Sequence, residues 1–179
     1  MRILGIDPGS KVTGFAILSS DKTVRLQPSD FTVLDAGALK PHPSISVFEK
    51  MTSLHQAVGD LIAEWKPDVC VIEKAFVGIN VSSALRLGEV RGAIIAAFGS
   101  RKTKIVEVAP KTVKRVITGN GNATKEDVLQ CIKLLMKVEI GNLPFDVSDA
   151  LAIALYYGLY HVYDAKVCSS LEKQSERQL

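Results

Sequence analysis

Residues 69–72, Val-Cys-Val-Ile, form an unbroken apolar run between Pro67 and Glu73. A strand with one wet face alternates apolar and polar side chains, whereas a strand covered on both faces is apolar throughout, as central parallel strands are. Ahead of this run, Val47, Met51, Leu54, Val58, Leu61, Ile62 and Trp65 recur at helical spacing, and Pro67 stops the pattern. After it, a second helix is expected over residues 81–98. A buried strand between two helices calls for a layered α/β architecture.

The rest of the chain fits that frame. Residues 3–6 and 12–18 are short apolar runs separated by Asp7-Pro8-Gly9-Ser10, which reads as a hairpin, and a third strand follows near 31–39. Residues 19–30 are a polar connection. A fifth strand is expected at 104–108, and Pro110 suits the first turn of a short helix over 111–117. Gly119-Asn120-Gly121-Asn122 forces a loop. Thr124 then resembles an N-cap for a helix over 125–137, with Asp127 at the capping-box position. A last helix is expected over 146–163, after Pro144. The expected fold is α/β, a mixed five-stranded sheet flanked by helices. With 179 residues, 47% apolar and 23% charged, the chain suits one domain over 1–163, and the fading periodicity of 164–179 reads as a flexible C-terminal tail.

Three cysteines, Cys70, Cys131 and Cys168, have neither the spacing of a metal knuckle nor the even number of a closed disulfide framework, which points to a reducing compartment. The N-terminus lacks the apolar stretch of a signal peptide. The longest mostly apolar segment, residues 150–162, falls short of the roughly 20 residues a membrane helix needs. A soluble cytoplasmic protein with no membrane partner is expected. The net charge of +3 is mild, but its distribution is not: residues 101–125 hold seven Lys/Arg against the single acid Glu107. Such a stretch is either a solvated face or a surface that holds a phosphate backbone.

Four acids stand at the ends of the expected elements. Asp7 closes the first strand and Glu73 the fourth; if those strands are parallel neighbours, both emerge at the carboxyl edge of the sheet, where open α/β folds bind ligands. Asp146 and Asp149 lie three apart in the first turn of the last helix, on one face. Either acid of that pair also serves as an ordinary dipole-favourable N-terminal residue. Taken together the four suit two divalent ions about 4 Å apart, which need three or four carboxylates at one point. Such a site would set one ion on an attacking water and one on a leaving 3′ oxygen, the arrangement for phosphodiester hydrolysis. Lys114 and Lys125 are the candidate cations for the scissile phosphate, each with a solvated surface role as its alternative. Lys111 and Arg115 join them as candidate DNA contacts. Phe76, in the polar segment 74–80, either stacks on an unpaired base or anchors its loop in the core. His42, His55 and His161 lack metal spacing, and Tyr156, Tyr157, Tyr160 and Tyr163 read as core and rim.

These residues carry a resemblance. Leu4-Gly5-Ile6-Asp7-Pro8-Gly9-Ser10 with Thr13-Gly14, Ile72-Glu73 with Phe76, Asn80 with Ser83-Ala84-Leu85, and Leu87-Gly88 with Arg91-Gly92 are followed in order by Pro110 with Val113-Lys114. Thr118-Gly119-Asn120-Gly121 with Ala123 and Lys125, and Asp146 with Asp149-Ala150-Leu151-Ala152, complete the set. From residue 2 to residue 160 the chain resembles the bacterial RuvC family of Holliday junction resolvases. The resemblance implies an RNase H-like fold with Asp7, Glu73, Asp146 and Asp149 as magnesium-binding catalytic acids, two Mg2+ per subunit, Mn2+ being a possible substitute. It also implies that Lys114 and Lys125 support phosphate binding and catalysis, and that Phe76 stacks on a junction base. The implied partners are four-way junction DNA, a second copy of the chain, and the RuvA and RuvB branch-migration proteins. Lys74 and Asp127 depart from the family's usual Gln; neither touches the four acids.

A four-way junction has approximate two-fold symmetry, so paired symmetric nicks on opposed strands suit a two-fold dimer. The helix over 81–98, with Ala84, Leu85, Leu87, Val90, Ala93, Ile94 and Ala97, carries enough apolar surface to face a partner, or else is wholly core. Two rivals stay open: an RNase H-like nuclease acting on ribosomal RNA precursors, against which the Phe76 segment and the 80–92 motif argue, and a non-hydrolytic junction-binding protein whose acids merely cap structure. An actin-like ATPase, which also opens on an Asp-x-Gly turn, needs two lobes and more residues than these.

Overall fold

The computed structural model describes residues 1–22, 26–74, 81–99, 103–137 and 143–175, the stretch 161–175 by its backbone alone. Five strands form one sheet in the order β3-β2-β1-β4-β5: β1 Arg2–Asp7, β2 Thr13–Ser19, β3 Thr32–Leu39, β4 Val69–Glu73 and β5 Lys104–Val108. The first two form the expected antiparallel hairpin, β3 runs antiparallel to β2, and β1, β4 and β5 are mutually parallel. The mixed five-stranded sheet is as the sequence implied.

Helices cover both faces. Helix α1 (Val47–Trp65) and α2 (Val81–Gly99) pack on one side with Leu4, Ile6, Phe15, Ile17, Cys70 and Ile72. On the other side α3 (Pro110–Thr118), α4 (Lys125–Met136) and α5 (Phe145–Ser175) close over Ile3, Ala16, Leu18, Val69 and Val71. Side chains alternate across a strand, so Ile3, Gly5 and Asp7 face the α3–α5 layer, as do Val69, Val71 and Glu73. The parity of the apolar residues therefore decides where the two strand-terminal acids point.

Helix ends follow local chemistry. Ser46 and Glu49 form a capping box on α1, which ends on Lys66 in the left-handed region just before Pro67. Thr124 and Asp127 do the same for α4: the Asp127 amide donates to Thr124 Oγ1 at 3.1 Å and the Thr124 amide to Asp127 Oδ2 at 2.9 Å. This cap fixes the start of α4 and with it Lys125. Thr124→Ala is expected to lower the melting temperature by about 2–4 °C, read by a thermal melt.

The polar connection holds a short turn, and the end of the last helix is corrected. Residues 28–30 of the polar connection form a 3-10 turn, Pro28–Asp30. Helix α5 does not stop at Tyr163 but runs on to Ser175. Residues 164–175 contain neither Gly nor Pro, so nothing local breaks the helix where its apolar periodicity fades.

Candidate active site

Asp7 and Glu73 reach one sheet edge because β1 and β4 are parallel and in register, Ile6 opposite Ile72. The third and fourth acids arrive on α5, which lies directly on the hairpin. A Cβ on Gly14 would stand 1.9 Å from the Asp146 carbonyl oxygen, and one on Gly5 would stand 2.4 Å from that of Ala150. The two glycines are the seat of the helix. Backbone approaches this close carry Asp146 and Asp149 to the Asp7 edge.

Asp7, Glu73, Asp149, Lys114 and Lys125 line one cleft of about 170 Å³, with Pro110, Val113, Val128, Ala152 and Ile153 as its walls. Asp146 joins through Lys125, whose Nζ lies 2.8 Å from Asp149 Oδ2 and 4.0 Å from Asp146 Oδ1. Lys114 donates from Nζ to the Ala123 carbonyl at 2.6 Å, so it also ties α3 to the loop before α4. A larger cleft of about 450 Å³ lies behind the β1–β2 turn. Its lining is mostly apolar, with Lys11, Lys40 and Lys50 but no acid, whereas the smaller one gathers the acids.

Burial, reinforced by crowded negative charge, governs the electrostatics. Burial first, then the neighbouring Glu73 and Asp149, push the Asp7 carboxyl up to about 7. Burial and Asp149 raise Glu73 as well, against the pull of Lys125, Lys114 and Arg91. Burial draws the Lys125 ammonium down, but its bond to Asp149 and the surrounding acids outweigh this and leave it raised. An all-oxygen donor set with unbalanced charge is what a hard divalent cation takes. As the side chains stand, no three acids among the described residues converge on one point at ligand distance. Ligation therefore requires side-chain rotation within the cleft, where the Lys125 ammonium competes with a cation for Asp149 Oδ2.

The remaining candidates divide. Lys111 and Arg115 are exposed on the outer face of α3 and do not line the cleft. They follow Pro110 and Lys114 by one residue, about 100° around the helix. Phe76 and Asn80, like Arg101 and Lys102, lie outside the described residues. Tyr156 and Tyr160 stack at 5.5 Å beside β5, Tyr157 is buried, and none lines the acid cleft. Helix α2 splits the two readings offered for it: Val90, Ile94, Ala97 and Phe98 are core, while Val81 and Leu85 are 68% and 65% exposed. Arg91, quoted above only as part of a motif, proves to be buried and bonded to the main chain of Glu73. Its role depends on a pairing far apart in sequence that no local pattern signals.

A 3-2-1-4-5 sheet with helices on both faces, and with acids at the adjoining ends of β1 and β4 and on the helix laid across them, is the arrangement of an RNase H-like domain. The family model described as crossover junction endodeoxyribonuclease RuvC matches residues 3–157. The crossover junction endodeoxyribonuclease RuvC of Chlorobium phaeovibrioides is 42% identical over 155 residues, 87% of this chain and 79% of that protein. That of Chloroherpeton thalassium is 35% identical over 178 residues, 99% and 91% of the two chains. The Thermus thermophilus RuvC structure in complex with a Holliday junction substrate superposes with a TM-score of 0.80 at 24% identity, over 92% of this chain and 96% of that one. The chain belongs to the RuvC family.

Proposed function

We propose that this protein is a magnesium-dependent endodeoxyribonuclease that resolves Holliday junctions by paired symmetric nicks on opposed strands. Membership in a family of crossover junction endodeoxyribonucleases supports the substrate. The observation that carries the chemistry is the gathering of Asp7, Glu73 and Asp149 with Lys114 and Lys125 in one cleft, with Asp146 at its rim.

In this reading Asp7, Glu73, Asp146 and Asp149 hold two Mg2+, which, when bound, lower the pKa of the attacking water and neutralise charge on the leaving oxygen. Asp7 must first give up its proton. Because its carboxyl sits near 7, metal affinity is expected to fall about tenfold per pH unit below that value, measured by titrating Mn2+ into the protein between pH 5.5 and 8. A pH-independent affinity counts against Asp7 as a ligand. Lys125, released from Asp149, and Lys114 hold the scissile phosphate between them. Lys111 and Arg115, on the exposed face of α3, hold the DNA backbone further out, and Phe76 stacks on a junction base.

The working form is a homodimer whose α2 helices meet through the exposed face at Val81 and Leu85, and its partners are the RuvA and RuvB branch-migration proteins. The nuclease domain spans 1–163, with 164–179 extending from it. Its work on DNA places it in the cytoplasm in this reading; among the described residues no helix is long and apolar enough to cross a membrane.

A synthetic mobile four-way junction, labelled on each strand in turn and incubated with Mg2+, tests this. The expected products are nicked duplexes with cuts at matching positions on two opposed strands. Binding without cutting at any Mg2+ or Mn2+ concentration supports a purely architectural protein instead, and preferential cutting of structured RNA supports an RNA-processing one.

A further inference from the structure

We propose that Arg91 is a positioning residue for the acid centre: from the helix layer on the opposite face of the sheet, its guanidinium pins the end of β4 and so sets the direction of the Glu73 carboxylate. The inference rests on the reading of Glu73 as a metal ligand.

Arg91 lies on α2 and is only 7% exposed. Its Nη1 donates to the main-chain carbonyl of Glu73 and its Nη2 to Glu107 Oε1. Glu73 is the last residue of β4, and its side chain projects toward α3–α5; the carbonyl is grasped from the α1–α2 side. Glu107 belongs to that same side, because Ile105, two residues before it on β5, packs in the α1–α2 core. In the ladder Glu107 stands opposite Ile72, Val108 stands opposite Glu73, and the Lys74 amide donates to the Val108 carbonyl at 2.8 Å. One guanidinium thus ties both strands together at the final rungs before the chain leaves the sheet.

A buried guanidinium is a poor device for stability alone, since an apolar side chain of similar volume commonly does as well or better. The neighbours Val90 and Ile94 fill the same layer that way. What Arg91 adds is direction. A planar fork holds two acceptors at a fixed angle, which the single ammonium of lysine cannot reproduce. Groups that orient metal ligands change metal affinity or activity by about 10–100-fold when lost.

The test uses the full chain with Arg91→Lys, which keeps the charge and loses the fork, and Glu107→Gln, which keeps an acceptor at a half-exposed site. Mn2+ binding is measured by calorimetry, alongside the Mg2+ dependence of junction cleavage, junction binding in chelator, and thermal melts. Arg91→Lys is expected to weaken Mn2+ binding and raise the half-saturating Mg2+ by about tenfold. Metal-free junction binding should stay within about twofold of wild type, and excess Mg2+ should restore most of the rate. Glu107→Gln should shift metal affinity in the same direction by about threefold. Unchanged metal affinity in folded Arg91→Lys overturns the proposal, as does a parallel loss of junction binding. Should Arg91→Lys fail to fold, unchanged affinity in Glu107→Gln overturns it. If wild type itself binds no metal that Asp7→Asn abolishes, the reading of the site fails; if wild type does so and Arg91→Lys matches it, the role of Arg91 alone fails.

Discussion

Asp7→Asn is expected to yield a protein that melts higher than wild type and no longer cuts DNA. The Asp7 carboxyl is held at about 7 against an ordinary 3.8, by burial first and then by Glu73 and Asp149. A carboxyl whose pKa is raised by folding binds its proton more tightly in the folded state. Its contribution to stability is therefore complete below about pH 4 and is lost as pH rises through 7. Above that, the ionised group costs at most about 4 kcal/mol, from roughly three pKa units at 1.36 kcal/mol each. Asparagine carries no charge and escapes that cost. In metal-free buffer at pH 8 the variant should melt about 3–8 °C higher than wild type, and the two should converge at pH 4 and below. Cleavage should fall by about 10³-fold or more, the equivalent of several kcal/mol of transition-state stabilisation, while junction binding persists. A variant that melts lower at pH 8, or that cuts at the wild-type rate, contradicts this account of the cleft.

The second large effect is predicted at an uncharged residue, Gly14, which pairs with Asp7 across the β1–β2 ladder. Gly14→Ala puts a methyl where the Asp146 carbonyl oxygen now lies, 1.9 Å from the Cβ position. Neither neighbour is a flexible side chain, so α5 must lift or tilt at its first turn, and Asp146 and Asp149 move with it. Overpacking of this kind costs about 1–3 kcal/mol, and a displacement of about 1 Å in a catalytic group can remove about 10² in rate. The expected result is a folded, junction-binding protein with cleavage reduced at least about 100-fold. Gly59→Ala is the control: Gly59 lies inside α1 with nothing within 4 Å of the added methyl. It should leave cleavage unchanged and stabilise the helix by about 0.5–1 kcal/mol. Equal activity of the two variants would mean that α5 does not position the acids.

Gly5 and Gly14 also mark how far the sequence could be read. The short apolar runs 3–6 and 69–72 were enough to place Asp7 and Glu73 at two strand ends, and pairing of β1 with β4 made them neighbours. The end of α1 and the start of α4 followed from Pro67 and Thr124, whose signals are local, whereas the Ser46 cap of α1 emerged only in the structure. The Asp146–Asp149 pair was visible as a spacing, but its delivery to Asp7 depends on glycines more than a hundred residues away, where no pattern links the two. For the same reason Arg91 and Glu107, joined across α2 and β5, stood out as motif and charge without a function. Lys111 and Arg115 were grouped with Lys114 by proximity in the chain, yet only Lys114 lines the acid cleft. The run of α5 past Tyr163 shows the opposite limit: loss of amphipathic pattern ends the burial signal, not the helix itself.

Everything in the proposed chemistry depends on the four acids sharing divalent ions, and anomalous diffraction from crystals of the Mn2+-soaked protein tests that directly. The account predicts a pair of Mn2+ peaks bounded by the carboxylates of Asp7, Glu73, Asp146 and Asp149, with the Lys125 ammonium moved off Asp149. Peaks elsewhere, or a cleft in which Lys125 keeps its bond to Asp149 at saturating Mn2+, would contradict it.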